Sequence, residues 1–288
     1  MIEMKKDYWL ITTEHLKDRL WFKDDEDFKA GMNYVAVLAA SMQEVEILAF
    51  ILMSNHVHFV LGGTESRVQI FITRFKKLYS QYFSQKYSSK ELLRSNQIDV
   101  RPVLWENEGL ERAIAYVQMN SVAANICLSP SGYPWGTGGI FFTNSPEKGR
   151  RVCDISHRKC MKLTHSKAFL PEKFIFKDEG YIAPSSYVNV KLVEHVYKTP
   201  NRMNFFQNIS SKARLVRETP SFKDQLLYSA MLDLISSLFR KNRFEDLNIE
   251  QQAEVLKQLR YRFSSEPNQL ARVTGSQYED VCKLLERL

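Results

Sequence analysis

One apolar stretch with two histidines constrains this chain most: residues 48–62 read LAFILMSNHVHFVLG. Because successive side chains of a β-strand point to opposite faces, His56 and His58 leave one face about 7 Å apart, while Val57 and Phe59 enter the other. The uniformly apolar flanks are typical of a central strand that is buried on at least one face. Burying two imidazoles costs several kcal/mol unless they are hydrogen-bonded or coordinate a metal. The pair predicts a metal site, with satisfied core histidines as the alternative.

Length and composition limit the class of protein. A chain of 288 residues suits one domain of about 150 residues and a second, smaller one. There is no apolar run of about 18 residues, and the first residues lack the apolar segment and cleavage site of a signal peptide. The four cysteines are too few and too scattered for a disulfide framework. These features predict a cytoplasmic protein.

The net charge of +7 makes a polyanion, and by default nucleic acid, the expected partner. After Gly62, an amphipathic helix reads SRVQIFITRFKKLYSQYFSQKY, with Arg74, Lys76 and Lys77 interleaved among aromatic residues. Such a face suits single-stranded nucleic acid, because cations follow phosphates while rings stack on bases. A solvated basic face is an equally good interpretation. Arg101, in an extended piece, is a further candidate DNA contact.

The order of elements indicates the fold class. Residues 8–13 (YWLITT) have the bias of a strand, and a helical repeat covers 28–42 after a run of acidic residues that suits a helix start. His15 lies after the first strand and is interpreted as a loop residue. One or two strands then lead into the histidine motif. Strand, helix and strands in this order predict an α+β domain of the ferredoxin-like kind, with an antiparallel sheet.

A second informative stretch, residues 105–127, reads WENEGLERAIAYVQMNSVAANIC and has helical periodicity. Tyr116 and Asn120 stand four residues apart and therefore share a helix face. A phenol and a carboxamide at this spacing can reach the same metal-bound phosphate. A tyrosine within a helix is more often a packing residue with its hydroxyl at the surface.

Taken together, these motifs resemble a known family. The stretch LMSNHVHFVL, the basic helix after it and AYVQMNSVAANICLSPSGYPW resemble the single-tyrosine HUH transposases, specifically the REP-associated tyrosine transposases. Those proteins show a PNHVH strand, a Tyr-x-x-x-Asn-Pro-Val helix and a Tyr-Pro-Trp element in this order. The resemblance covers residues 8–142. Two positions depart from the pattern, since Ser54 and Ser121 stand where the family commonly has proline.

The resemblance implies a mechanism and a set of site residues. His56 and His58 would bind a divalent cation, Asn120 would be the third ligand, and Tyr116 would be the nucleophile. Two imidazoles and one amide oxygen suit Mg²⁺ or Mn²⁺ better than structural zinc. The implied activity is nicking and rejoining of single-stranded or hairpin (REP-like) DNA through a 5′-phosphotyrosine, by a monomer or a homodimer. The alternatives are a non-catalytic DNA-binding regulator derived from a transposase and a metal phosphoesterase without a covalent step.

The rest of the chain divides at polar stretches. We expect the catalytic domain over 1–145, a basic linker over 146–221 and a helical domain over 222–288. The last helices surround a glycine and are typical of a helix-turn-helix, or else of simple bundle packing. If the pattern reads DNA, the recognition helix begins at Ser276, Gln277 and Tyr278.

A cluster of cysteines and histidines, CDISHRKCMKLTH at 153–165, imitates a zinc site. Structural zinc ligands usually come in two pairs across a longer insert, whereas Cys153, His157, Cys160 and His165 alternate without one. A basic helix over residues 150–167 that lies near a phosphate backbone is the preferred interpretation.

Overall fold

A computed structural model describes residues 7–16, 19–88, 97–145, 147–212, 224–263 and 265–286. The strands are β1 Tyr8–Thr13, β2 Glu46–Met53, β3 His56–Gly62, β4 Ile98–Val103, β5 Arg150–Arg151 and β6 Ile175–Phe176. The helices are α1 Asp25–Ser41, α2 Glu65–Tyr87, α3 Gly109–Gln118, α4 Asn120–Ala123, α5 His157–Thr164, α6 Val190–Tyr197, α7 Pro200–Lys212, α8 Asp224–Phe239, α9 Ile249–Phe263, α10 Pro267–Thr274 and α11 Tyr278–Glu286.

The core of the first half is a four-stranded antiparallel sheet in the order β2-β3-β1-β4. Helix α1 connects β1 to β2, and α2 connects β3 to β4, so the chain runs βαββαβ. Asp24 caps α1 by accepting a hydrogen bond from the Asp27 amide, as the acidic run predicts. The predicted α+β class is confirmed, and the strand order is that of a ferredoxin-like sheet.

The apolar stretch 48–62 forms two strands rather than one. It is a tight hairpin that turns at Ser54 and Asn55, so that Met53 pairs with His56. Every residue of β3 is buried, because helices cover both faces of the sheet. Its Val57 and Phe59 pack in the core under α1 and α2, as the alternation predicts. The histidines therefore face the opposite layer, which contains α3.

The fourth strand is the one that the sequence only hints at, as an extended piece around Arg101. In β4, Pro102 lies opposite Trp9 of β1. Proline is tolerated there because β4 is the outer strand of the sheet. Polar side chains and a proline hide the alternation by which a buried strand is recognised.

The region predicted as a basic linker, 146–221, contains packed structure. Tyr197 of α6 and Phe206 of α7 are buried against α3, and the Tyr197 hydroxyl donates to the Glu111 carbonyl at 2.6 Å. On the other face, Cys160 of α5 is buried in a small core that includes Ala36 of α1. This region therefore helps to hold both helical layers on the sheet.

Helices α8–α11 form a bundle with its own apolar core. One residue of the first half, Leu20, is 1% exposed and belongs to that core. Gly275 joins α10 to α11 at φ +73°, a conformation that favours glycine. Within the described ranges, none of the helices combines the length and the apolar character that a bilayer crossing requires.

Candidate metal and tyrosine site

The two histidines of β3 lie together on the sheet face that α3 covers. His56 is 6% exposed and His58 is 1% exposed. Their ring centroids are 4.7 Å apart and their planes are perpendicular. The strand thus delivers two nearly buried imidazoles to one point, as their spacing predicts.

A third histidine, His15, lies beside this pair, although the sequence indicates only a loop residue at that position. His15 follows β1, and its ring stacks on His56 with centroids 3.6 Å apart. The nitrogen atoms that His15, His56 and His58 offer all lie within 4.8 Å of one another. Two metal–nitrogen bonds of about 2.1 Å at an angle of about 90–110° place their nitrogens about 3.0–3.4 Å apart, so the three rings would have to move closer together around a shared ion. A divalent cation fits this donor set.

Hydrogen bonds at the far side of the rings orient the histidines. The Asn55 amide nitrogen donates to the Leu16 carbonyl at 2.8 Å, which leaves the Asn55 oxygen facing Nδ1 of His56 at 2.9 Å. Nδ1 must then carry the proton, and Nε2 carries the lone pair that can bind a metal. The Thr12 hydroxyl forms a hydrogen bond with Nδ1 of His58, also at 2.9 Å.

Asn55 also holds the third histidine in place. Its carbonyl accepts from the Leu16 amide at 3.1 Å, so both the backbone and the side chain of Asn55 bind the residue next to His15. The hairpin turn that carries His56 is therefore clamped to the loop that carries His15.

The electrostatic environment favours a neutral His15. Partial enclosure of the ring lowers the pKa of His15 below its usual 6.5, and the positive charge of Arg272 acts in the same direction. A neutral imidazole is the form that binds a metal. Arg272 lies on α10, so the C-terminal bundle contributes to the electrostatics of this site.

The tyrosine from the second motif lies beside the histidines of its own chain. Tyr116 is in the last turn of α3, and its ring meets that of His58 edge-on with centroids 5.5 Å apart. Helix α3 packs on β2 and β3 through Ile114 and Val117, which are fully buried. The packing of one helix face thus brings Tyr116 next to His58.

Asn120 lies at the start of α4, one turn after Tyr116. Its amide nitrogen donates to the Tyr116 carbonyl at 2.9 Å and to the Val117 carbonyl at 3.3 Å. These bonds cap the end of α3 and fix the side chain. The predicted role of Asn120 as third metal ligand stays a prediction, while His15 occupies a position that the prediction did not include.

The candidate DNA contacts lie in several parts of the molecule. Arg74 and Lys77 are exposed on α2, across the sheet from α3, whereas Lys76 is 3% exposed and does not present its ammonium at the surface. Arg101 is exposed on β4 and pairs with Asp99 at 2.7 Å. The trio Ser276, Gln277 and Tyr278 lies at the turn between α10 and α11, with Tyr278 43% exposed.

Within the described part of the chain, the cysteines and histidines of the zinc-like segment do not come close enough together to share a metal ion. The potential ligands that do are His15, His56 and His58. His157 stacks on Phe169 with centroids 4.2 Å apart, while Cys160 is buried in the core next to α1. Within the predicted helix 150–167, helix α5 covers His157–Thr164, while Arg150 and Arg151 form strand β5, which pairs with β6. The predicted contact with a phosphate backbone stays a prediction.

Comparison with known proteins agrees with the motifs. Residues 10–107 match the model of a family described as "Transposase IS200 like". The predicted resemblance to this group of transposases is confirmed. The matched segment contains all three histidines and ends before Tyr116 and Asn120. No curated protein matches the chain significantly.

A structural similarity was also found. A solved structure described as "Structure of the REP associates tyrosine transposase bound to a REP hairpin" shares 13% sequence identity, covers 46% of this chain and 76% of that one, and gives a TM-score of 0.32. At this TM-score the similarity supports no argument about the site.

Sequence reasoning missed His15 because no motif contains it. The available signal was its position: a histidine that closely follows β1 reaches the end of the sheet where β3 begins, since β1 and β3 are antiparallel neighbours. A ferredoxin-like sheet already implies that β1 lies beside β3, but the sequence does not give the register of the two strands, which decides how close His15 comes to His56.

Proposed function

We propose that this chain is a metal-dependent DNA strand-transfer enzyme that nicks and rejoins single-stranded or hairpin DNA through a 5′-phosphotyrosine. The observation that carries the proposal is the 5.5 Å approach of the Tyr116 ring to the His58 ring. The similarity of residues 10–107 to IS200-like transposases supports the same function.

The histidines and Tyr116 have separate roles in the proposed reaction. His15, His56 and His58 would hold a divalent cation, which when bound would withdraw charge from the phosphate. The Tyr116 oxygen attacks phosphorus, the bond from phosphorus to the 3′ oxygen breaks, and the phenol proton ends on the released 3′-hydroxyl. The phosphotyrosine preserves the bond energy, so the same hydroxyl can later attack it and rejoin the strand.

The donor set refines the choice of metal. Carboxylate and carbonyl oxygens suit Mg²⁺ and Mn²⁺, whereas imidazole suits later transition metal ions such as Fe²⁺, Ni²⁺ and Zn²⁺. With His15 included, the site offers three imidazole nitrogens rather than two and an amide oxygen. We therefore place a transition metal ion ahead of Mg²⁺ as the activating ion, with Mn²⁺ as the ion used in the binding test.

Labelled DNA tests the covalent step. A hairpin oligonucleotide labelled at its 3′ end should transfer its label to the wild-type protein, and the same strand labelled at its 5′ end should release a shorter free fragment. Tyr116→Phe should abolish the labelled protein and leave DNA binding intact, because it removes only the attacking oxygen. Tyr261→Phe, at a side chain that is 89% exposed on α9, is the matched control.

Each other result points to one of the alternatives. Adduct formation by Tyr116→Phe would contradict the assignment of the nucleophile. Cleavage by the wild type without an adduct would indicate a phosphoesterase, and binding without cleavage would indicate a regulator derived from a transposase.

A further inference from the structure

A cavity of about 550 Å³ lies between the first half of the chain and the C-terminal bundle. One wall comes from residues 14–16, residues 19–23 and the end of α2, and the other from α8, the segment 242–245 and α10. Its volume falls in the range of about 300–1,000 Å³ that is typical of small-ligand sites. Glu14 and Leu16, the neighbours of His15, line it, so the cavity adjoins the candidate metal site.

The charges around the cavity favour an anion. Among the described residues, Arg19, Lys23, Lys86, Arg243 and Arg272 line it, against two acidic side chains. Lys86 and Arg272 are held by buried or half-buried carboxylates of neighbouring elements. Arg243 is exposed and forms no ion pair with any residue that the structure describes.

Aromatic rings provide the apolar part of the same cavity. The ammonium of Lys23 lies over the rings of Phe83, Tyr87 and Tyr228, at 5.4, 4.5 and 5.5 Å from their centroids. These rings come from both walls, since Phe83 and Tyr87 are on α2 and Tyr228 is on α8. Cations beside ring faces are the combination that binds an unpaired nucleotide, with its phosphate on the charge and its base on the rings.

We propose that this cavity binds an unpaired nucleotide of the DNA strand that continues from the cleaved phosphate. The inference rests on the proposed function, because it takes the histidine centre to be where the strand is cut. A base pair brings two backbones with it, whereas a space of this volume between two walls admits one nucleotide. The C-terminal bundle thereby contributes to recognition of the single-stranded flank as well as to any duplex contact.

The test measures DNA binding by the full chain without cleavage. Two labelled probes are compared in the presence of EDTA: a hairpin with single-stranded flanks and the same hairpin with blunt ends. Arg243→Gln should weaken binding of the flanked probe about tenfold. The slope of the logarithm of its binding constant against the logarithm of salt concentration should fall by the amount that corresponds to about one phosphate contact. Binding of the blunt probe should change less than about twofold. Arg260→Gln, exposed on α9 away from the cavity, should leave both affinities unchanged.

Arg19→Gln changes the opposite wall of the cavity and should weaken binding of the flanked probe in the same selective way. With two variants, the test still gives a result if one of them folds poorly. The proposal is overturned if the wild type binds the two probes equally, or if both variants bind the flanked probe as the wild type does. Equal weakening for both probes would also overturn it. The adduct assay on the wild type reports separately on the proposed function: a selective loss without any adduct would refute the tyrosine chemistry and leave the cavity assignment standing.

Discussion

At the scale of single residues, His15 adds a third imidazole to the candidate metal site. Its ring stacks on His56 at 3.6 Å and converts a pair of imidazoles into a set of three. Asn55 links two members of that set, because it orients His56 through its side chain and binds Leu16, the residue after His15, through both its side chain and its carbonyl.

We expect His15→Ala to weaken Mn²⁺ binding by the DNA-free full chain at least about tenfold, since loss of an outer partner alone typically costs about 10–100-fold in metal affinity. Isothermal titration calorimetry measures the effect. His195→Ala, exposed on α6, should bind Mn²⁺ as the wild type does. If His15→Ala keeps its affinity while Asn120→Ala loses it, the third ligand is Asn120.

At the scale of elements, one buried carboxylate joins the C-terminal bundle to the histidine hairpin. Asp224, the first residue of α8, accepts from the Ser54 hydroxyl at 2.7 Å and from Gln269 at 2.9 Å, and it pairs with Arg272 at 3.2 Å. Ser54 lies in the turn two residues before His56. Its carbonyl accepts from the Trp21 amide at 2.7 Å, so the same turn also holds the segment after His15.

Asp224→Ala should lower the free energy of unfolding by up to about 3 kcal/mol, because it leaves a partly buried guanidinium and two hydrogen-bond donors without their common acceptor. Denaturant unfolding of the full chain measures this change. Asp233→Ala, exposed on the same helix, should stay within about 0.5 kcal/mol of the wild type. Equal stability of the two variants would mean that the contact does not hold the bundle on the hairpin.

At the scale of the whole molecule, the candidate tyrosine and the candidate metal-binding histidines lie together within one chain. Tyr116 reaches the His58 of its own chain because α3 packs directly on β2 and β3. Helices α6 and α7 cover α3 from the outside, and Tyr197 ties α6 to it through the Glu111 carbonyl. The region after residue 146 therefore supports the position of Tyr116, the proposed nucleophile.

A mixing experiment tests whether the nucleophile acts in the same chain. Co-expressed Tyr116→Phe and His58→Ala proteins should form no covalent adduct with 3′-labelled DNA, because neither chain contains both groups. Wild-type protein at the same concentration provides the positive control. Recovery of the adduct in the mixture would show that a tyrosine of one chain serves the histidines of another.

The sequence by itself determined the features that depend on local geometry. Strand β1 spans the predicted residues 8–13, and α1 and α2 lie where the helical repeats predict them. His56 and His58 share a face because the side-chain period of a strand is two, and this holds wherever the strand lies. The spacing of Tyr116 and Asn120 follows from the helical period in the same way, although the helix ends between them at Met119.

Only the tertiary structure decided which of these groups meet. His15 joins the site because β1 and β3 pair across more than forty residues, and Asp224 reaches Ser54 across 170. Leu20 packs in a core whose other members lie over two hundred residues later in the chain. Such contacts are selected by the burial of apolar surface in the whole fold, which is non-directional and leaves no period in the sequence. Local sterics thus fixed the faces of the strands and helices, and the packing of the complete chain determined the composition of the site.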